Sequence, residues 1–257
     1  MAHNKHSAQR LGLIVFAALA ALTTIEFALA SFLDPNTALV LLVLVALVKA
    51  SLVVYYYMHV YRLFEPDESP PGEVRESYAY KLVTNRLGLW LFMLSDTFIF
   101  GGLMLSRINL LGLTRPELEQ FLGLSVTVIL LVSSYFAYRS EMSIEQGKRK
   151  QFVTSLAVTM SLGILFLVGV VGVEWQIAPF GPGDSIAAAI FYVMTGFHAF
   201  HVFTGVVFLA IVLRNAVRGH YSAEKHWGVE AAVVYWHFVD VVWFFFYPAL
   251  YLIGMLE

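Results

Sequence analysis

The sequence has no cysteine and few charged residues for its length. The absence of cysteine excludes thiolate metal sites, thiol nucleophiles and disulfides. Charged residues make up 13% of the chain, whereas soluble domains typically carry about 25%. The 16 basic and 18 acidic residues nearly balance, so no basic surplus attracts nucleic acid. Hydrophobic residues reach 59%, which excludes a disordered, fibrous or nucleic-acid-binding chain.

The apolar residues fall into seven long blocks that are separated by charged segments. A helix needs about 20 mainly apolar residues to cross the hydrocarbon core of a bilayer, and each block is long enough. Strands are not expected because short alternating segments are lacking. We therefore predict an all-α polytopic membrane protein with seven transmembrane helices. The blocks are Leu11–Leu33, Ala38–Tyr61, Leu87–Ser106, Phe121–Tyr138, Phe152–Val173, Ile186–Leu213 and Val229–Gly254.

The distribution of Lys and Arg predicts the orientation of these helices. We assign the segments between the blocks alternately to two sides of the membrane, with the N-terminal segment on side one. Side one then holds 13 of the 16 Lys and Arg residues, side two holds Arg107 and Arg115, and Lys49 lies within a block. Because basic loops stay in the cytoplasm, we expect the N-terminus on the cytoplasmic side and the C-terminus on the opposite side.

The longest polar stretch, Arg62–Asn85, suggests a division into domains. It contains three prolines among five acidic residues, a composition that keeps a chain stiff and solvated. We interpret it as a connection between two membrane-embedded parts. The predicted domains are a transmembrane hairpin at 1–64, a cytoplasmic linker at 65–85 and a five-helix bundle at 86–257.

The loop between the third and fourth blocks contains a signal for the start of a helix. Thr114 and Glu117 have the spacing of a capping box, in which the two side chains satisfy the first free amides of a helix. We therefore predict that the fourth helix begins in this loop.

Ionisable residues inside the blocks are functional candidates because a charge at membrane depth is costly unless it is paired or hydrated. If the first two helices turn near Pro35, Glu26 and Lys49 lie about 6 Å apart in depth, at about 1.5 Å per residue. A lysine side chain covers that distance. The expected ion pair either holds the hairpin together or belongs to a proton or ion pathway.

The last two blocks contain three histidines and an aspartate. His198 and His201 share a helix face, and His201 is expected at the depth of Asp240. Such a pair is typical of a metal's outer shell, a proton relay or a buried polar clamp. A haem held by His237 with one of the other histidines is disfavoured because bulky aromatic residues surround His237. No phosphate-binding loop, nucleophile elbow or pair of catalytic carboxylates occurs, so the residues predict no catalytic, redox or metal centre.

Two motifs in the last blocks resemble the signatures of subunit III of haem–copper oxidases. Residues 227–232 read WGVEAA and residues 235–243 read YWHFVDVVW, while residues 195–202 in the sixth block read TGFHAFHV. In the third block, Arg86 and Gly88 precede Ser95 and Asp96, which is similar to the family's arginine-x-glycine entry and embedded carboxylate. The fifth block ends in a similar Glu-Trp pair. The resemblance covers roughly residues 80–257.

The resemblance implies a non-redox accessory subunit of a proton-pumping terminal oxidase, which passes electrons from cytochrome c to O2. The chain would then be part of an enzyme complex without a catalytic centre of its own. Haem and copper are expected in its partners, the catalytic subunit I and the copper-bearing subunit II, and phospholipid on this chain. The implied roles are lipid binding, stability of the complex and sustained proton uptake, in the plasma (inner) membrane of a bacterium.

Carried over by position, the family pattern implies roles for particular residues. Asp96 matches the embedded, proton-associated carboxylate, and Arg86 and Arg214 match residues that contact lipid phosphates. The remaining matches form an expected buried polar cluster of His198, His201, Glu230, His237 and Asp240.

The hairpin has a resemblance of its own. Residues 47–54 read LVKASLVV and are followed by Tyr57-Met58-His59, which is similar to the small bacterial subunit IV of the same oxidases. This resemblance implies that a subunit IV hairpin is fused to a five-helix subunit III. Alternatives are subunit III of a quinol oxidase and the accessory protein of a nitric oxide reductase. A self-standing proton-coupled transporter and a b-type cytochrome are alternatives of other classes.

Overall fold

The computed structural model describes residues 5–33, 35–58 and 78–256, most of which are helical. The first four helices are α1 (Lys5–Phe32), α2 (Pro35–Leu52), α3 (Tyr78–Leu111) and α4 (Gln120–Glu145). The last four are α5 (Arg149–Leu167), the short α6 (Trp175–Ile177), α7 (Ile186–Val217) and α8 (Trp227–Tyr247). Three π-helical segments extend helices, namely Val53–Tyr57 after α2, Val168–Glu174 between α5 and α6, and Pro248–Leu252 after α8.

The predicted fold class is confirmed. Seven helical spans in the described part of the chain are long and apolar enough to cross a membrane, and they correspond one to one with the predicted blocks. The only strands among the described residues are β1 (Thr114–Arg115) and β2 (Met255–Leu256), which form a parallel pair. This pair joins the loop before α4 to the end of the chain.

The start of the third helix differs from the prediction. Helix α3 begins at Tyr78, so the last residues of the predicted linker are helical, while its residues 65–77 and His59 lie outside the described residues. Residues 78–85 contain no proline or glycine, and extending an existing helix adds a hydrogen bond for each ordered residue.

The capping-box prediction was wrong. Helix α4 begins at Gln120, and Glu119 at its N-cap is extended and makes no capping hydrogen bond with its side chain. The Thr114 hydroxyl instead donates to the carbonyl oxygen of Leu111 at 2.8 Å. Thr114 also pairs with Met255 in the strand ladder. Its backbone is therefore part of a strand and does not lie at the start of α4.

Helix α8 forms the centre of the molecule. It is buried along nearly its whole length, and it contacts α2, α3, α4 and α7. Its two tryptophans anchor it to α4, since Trp236 Nε1 donates to Ser133 Oγ at 3.0 Å and Trp243 Nε1 to Thr127 Oγ1 at 2.9 Å. A helix that is apolar on nearly all sides belongs in the interior, and α8 is mainly aromatic and aliphatic apart from Glu230, His237 and Asp240.

The hairpin of α1 and α2 packs on α4 and α8 of the same chain. The Tyr57 hydroxyl donates to the carbonyl oxygen of Gly12 at 2.8 Å, and the Tyr57 ring stacks on Tyr138 with 4.7 Å between centroids. A Cβ atom at Gly12 would overlap the Tyr138 ring. The absence of a side chain at Gly12 therefore allows α1 to approach α4 closely.

Replacing Gly12 with Leu is expected to push α1 away from α4. Because the chain lacks cysteine, Phe16→Cys and Tyr135→Cys can report this contact, as the two native rings lie 5.2 Å apart. We expect a short bifunctional thiol reagent to cross-link this pair efficiently in the parent chain and poorly after Gly12→Leu. The matched control is Gly88→Leu, since nothing lies within 4 Å of a Cβ atom there. Equal cross-linking in all three chains would contradict this packing.

Candidate functional site

The structure brings Glu26 and Lys49 together inside the hairpin. Lys49 Nζ lies 2.6 Å from Glu26 Oε2, and both side chains are 0% exposed. The ammonium also lies 4.5 Å from the ring centroid of Phe244 on α8, within the range of a cation–π contact. The ion pair therefore joins α1 to α2 and also contacts the central helix.

Asp96 and His201 form a second pair, between α3 and α7. His201 Nε2 lies 3.5 Å from Asp96 Oδ2, and both side chains are about one-tenth exposed. His201 Nδ1 donates to the carbonyl oxygen of Phe197 at 2.8 Å, because a carbonyl can only accept. Nδ1 thus carries a proton, and the contact at Nε2 is attractive only if a further proton sits on Nε2 or on the carboxyl group.

The expected pairing of His201 with Asp240 was wrong. No ion pair joins them in the described part of the chain, where His201 faces Asp96 on α3 and Asp240 lies near Ser134 on α4. The two residues project from α7 and α8 toward different neighbouring helices. An estimate of depth from the turn position does not determine which face of a helix a residue occupies.

The five residues expected to form a buried polar cluster are all buried, and His237 and Asp240 both lie near Ser134 on α4, whereas the other three have different partners. His198 Nε2 donates to the carbonyl oxygen of Val239 at 3.1 Å. His237 Nδ1 lies 2.7 Å from Ser134 Oγ, and its ring packs 5.0 Å from Tyr57. Among the described residues, no group of three or more His, Cys, Asp or Glu side chains is placed to hold a metal ion.

Glu230 forms a two-point ion pair with Arg86. Arg86 Nε donates to Glu230 Oε1 at 2.8 Å, and Nη2 donates to Oε2 at 3.2 Å. The pair ties the beginning of α3 to the beginning of α8. Of the two arginines expected to contact lipid phosphates, Arg86 is thus occupied by a carboxylate, while Arg214 is exposed near the end of α7.

Sequence reasoning missed Arg107, which is 1% exposed near the end of α3. Its Nε donates to Ala249 O at 2.7 Å and its Nη1 to Gly112 O at 2.6 Å. Its Nη2 donates to Thr114 O at 2.8 Å and to Ile253 O at 3.0 Å. One guanidinium therefore satisfies four carbonyl groups and anchors the C-terminal segment. In the sequence, Arg107 directly follows the third apolar block and was counted among the loop charges of side two. Its role in binding buried carbonyl groups was therefore not predicted.

From the sequence, Glu174 was assigned only to the family-like Glu-Trp pair at the end of the fifth block. Glu174 is 1% exposed, and its Oε1 accepts a hydrogen bond from the Tyr251 hydroxyl at 2.5 Å. Both residues lie in π-helical segments, Val168–Glu174 and Pro248–Leu252. Interrupted helix geometry of this kind often marks functional sites.

Comparison with known proteins identifies the family of this chain. The family model described as "Cytochrome c oxidase subunit III" matches residues 3–255, which includes the hairpin. A "Cytochrome c oxidase subunit 3" from Gadus morhua is 38% identical over 179 residues, covering 65% of this chain and 68% of the relative. A protein of the same name from Thermostichus vulcanus is 36% identical over 174 residues, covering 65% of this chain and 86% of the relative. The chain therefore belongs to the cytochrome c oxidase subunit III family.

Proposed function

We propose that this chain acts as the accessory subunit III of a terminal oxidase that passes electrons from cytochrome c to O2. The match of the family model to residues 3–255 carries this conclusion, because it spans nearly the whole chain. The chain is thus a subunit of an oxidoreductase complex. Its contribution comes from its helices and buried polar pairs, while redox chemistry belongs to its partners.

We propose further that the partners are the catalytic subunit I, which carries haem, and the copper-bearing subunit II, in the plasma membrane of a bacterium. The strong excess of Lys and Arg on side one supports an orientation with the N-terminus in the cytoplasm. The relative from Thermostichus vulcanus supports a bacterial setting.

Co-purification tests this function. The tagged chain, extracted in a mild detergent, is expected to bring down subunits that contain haem and copper, identified by mass spectrometry and metal analysis. Recovery of the chain alone, with proton-coupled transport in vesicles, would instead support the self-standing transporter.

We propose that Asp96 and His201 support proton uptake by the complex. Their side chains lie 3.5 Å apart between α3 and α7 and keep slight exposure, which supports this role. Asp96→Asn is expected to preserve assembly and the haem spectrum but to shorten the period of sustained O2 reduction. The matched control is Asp184→Asn, in an exposed loop on side two. Loss of the partner's metal centres in Asp96→Asn would contradict an accessory role.

We propose a phospholipid along α3 and α8. An apolar groove of 240 Å³ lies between these helices and is lined by Thr97, Phe100 and Phe246, among others. Thr97 lies 11 residues from Arg86, about 16 Å along the helix at about 1.5 Å per residue, so an acyl chain can extend from the side-one end of α3 into the groove. Arg214→Gln should reduce the phospholipid that remains bound after detergent washing, as measured by mass spectrometry.

The origin of the hairpin and the division into domains at 1–64, 65–85 and 86–257 are further proposals. The segment at residues 47–54 supports the likeness to subunit IV. The family match starts at residue 3, which supports the alternative that the hairpin represents the first two helices of subunit III. In both cases the hairpin is an integral part of the bundle, because it packs on α4 and α8.

A further inference from the structure

We propose that an acidic pocket on side two receives a Lys or Arg side chain from a neighbouring subunit of the complex. The pocket has a volume of 290 Å³ and lies between the loop before α4 and the end of α6. Its lining combines the carboxylates of Glu117, Glu119 and Glu174 with the apolar side chains of Leu118, Ile177 and Pro179. The inference rests on the proposed function, because it requires a complex.

The buried carboxylate of Glu174 points to a missing donor. Glu174 is 1% exposed and forms part of the pocket wall. Its Oε1 accepts a hydrogen bond from Tyr251, but its Oε2 has no hydrogen-bond partner among the described residues. Buried polar atoms are nearly always satisfied, so an unpartnered carboxylate oxygen at a pocket wall indicates a ligand with N–H groups.

Glu174 is held in a preformed position. The hydroxyl of Tyr251 donates to Glu174, and the Tyr251 ring packs against Gly123 on α4. A Cβ atom at Gly123 would lie 2.5 Å from Tyr251 Cδ1. Three parts of the chain thus position one carboxylate, namely α4 and the π-helical segments that contain Glu174 and Tyr251. A preformed site loses less conformational entropy when its ligand arrives.

Within residues 5–33, 35–58 and 78–256, no Lys or Arg forms an ion pair with a pocket glutamate. Of the two basic residues of side two, Arg107 binds four carbonyl groups, and Arg115 Nε donates to Gly254 O at 3.1 Å. Burial also lowers the pKa of the Arg115 guanidinium from its ordinary value. In the described part of the chain, none of the three pocket glutamates forms an ion pair. Any cation that pairs with these carboxylates therefore comes from outside the described part of the chain.

The mixed lining favours a basic side chain over a metal ion. A metal ion needs several carboxylates around one point, and no such group occurs among the described residues. Lys and Arg instead combine an apolar stem with a charged end. In this pocket the stem can pack against Leu118 and Ile177 while the charged end reaches Glu174.

Photocross-linking in the assembled complex identifies the occupant directly. Ile177 lines the pocket and is about half exposed, so a benzoylphenylalanine introduced there should be tolerated. We expect cross-links to a Lys- or Arg-containing segment of a neighbouring subunit, identified by mass spectrometry. Cross-links only to lipid, to a segment without a basic residue or to nothing would overturn the inference. If the wild-type chain brings down no oxidase subunits, the proposed function itself fails, so the two failures are distinguishable.

Charge removal gives a second readout. Glu117 and Glu119 are exposed, so replacing both with Gln should leave the fold intact. We expect roughly fivefold weaker retention of this chain by the complex at low ionic strength, comparable to the loss of one exposed ion pair. The difference should shrink at high salt because screening weakens the wild-type contact. The control is Glu224→Gln on side one. A double variant with wild-type retention and salt dependence would contradict the inference.

Discussion

Replacing Lys49 with Leu is expected to destabilise the protein by about 3–5 kcal/mol, since removing one partner leaves a buried charge without compensation. Glu26 is 0% exposed and Lys49 is its ion-pair partner, at 2.6 Å. The Glu26 carboxylate can lose its charge only by taking up a proton, which costs about 4 kcal/mol at pH 7 for an ordinary glutamate. Thermal unfolding of the purified protein in detergent, monitored by circular dichroism, measures the loss.

The matched control is the double variant Glu26→Leu with Lys49→Leu. Two apolar residues of similar length leave no buried charge, so this variant should recover most of the lost stability. Together with the single variant Glu26→Leu, these proteins form a double-mutant cycle that isolates the interaction between the two groups. If Lys49→Leu proves as stable as the wild type, or if the double variant is the less stable of the two, the ion pair does not hold the hairpin as described.

Replacing Arg107 with Met is expected to cost about 3–6 kcal/mol, because four carbonyl groups, two of them in buried hydrogen bonds, lose a charged donor at once. The carbonyls belong to the α3–β1 connection and the C-terminal segment, which these hydrogen bonds hold together. We expect a lower unfolding temperature and faster deuterium exchange at the Ile253 amide, which donates to Pro248 O in the folded protein.

Two control variants sharpen this test. Arg107→Lys keeps the charge but not the planar fork, so it should rescue the stability only in part. Arg115→Met removes one donor from the same region, with an expected cost of about 1 kcal/mol. Unchanged exchange at Ile253 in Arg107→Met would show that the C-terminal segment is held by other contacts.

The transmembrane architecture was predictable because the thickness of the hydrocarbon core sets the length of an apolar block. The proximity of Glu26 and Lys49 followed from the same reasoning, since a short turn fixes the depth of both residues in a hairpin. Depth alone did not indicate which helix His201 faces, and its partner Asp96 lies on a helix that is not adjacent in sequence. Rotation about a helix axis depends on side-chain packing around α8, which the pattern of apolar residues does not resolve.

Polar residues at the block ends were the hardest to interpret. The hydrogen bonds of Arg107 and the strand pairing of Thr114 both involve the last residues of the chain, which are far away in sequence. Positive charge near a block end is also what membrane topology alone produces. The sequence pattern was therefore compatible with a solvated loop, whereas the structure shows a buried anchor.

Removal and return of this chain tests its accessory role most directly. The complex is stripped of the chain in detergent, and its reduced-minus-oxidised spectrum and O2 consumption are compared before and after. We predict that the stripped complex keeps its haem bands and its initial rate but loses activity during turnover, and that adding the chain back restores sustained activity. Loss of the haem bands with the chain, or identical sustained turnover without it, would contradict the account.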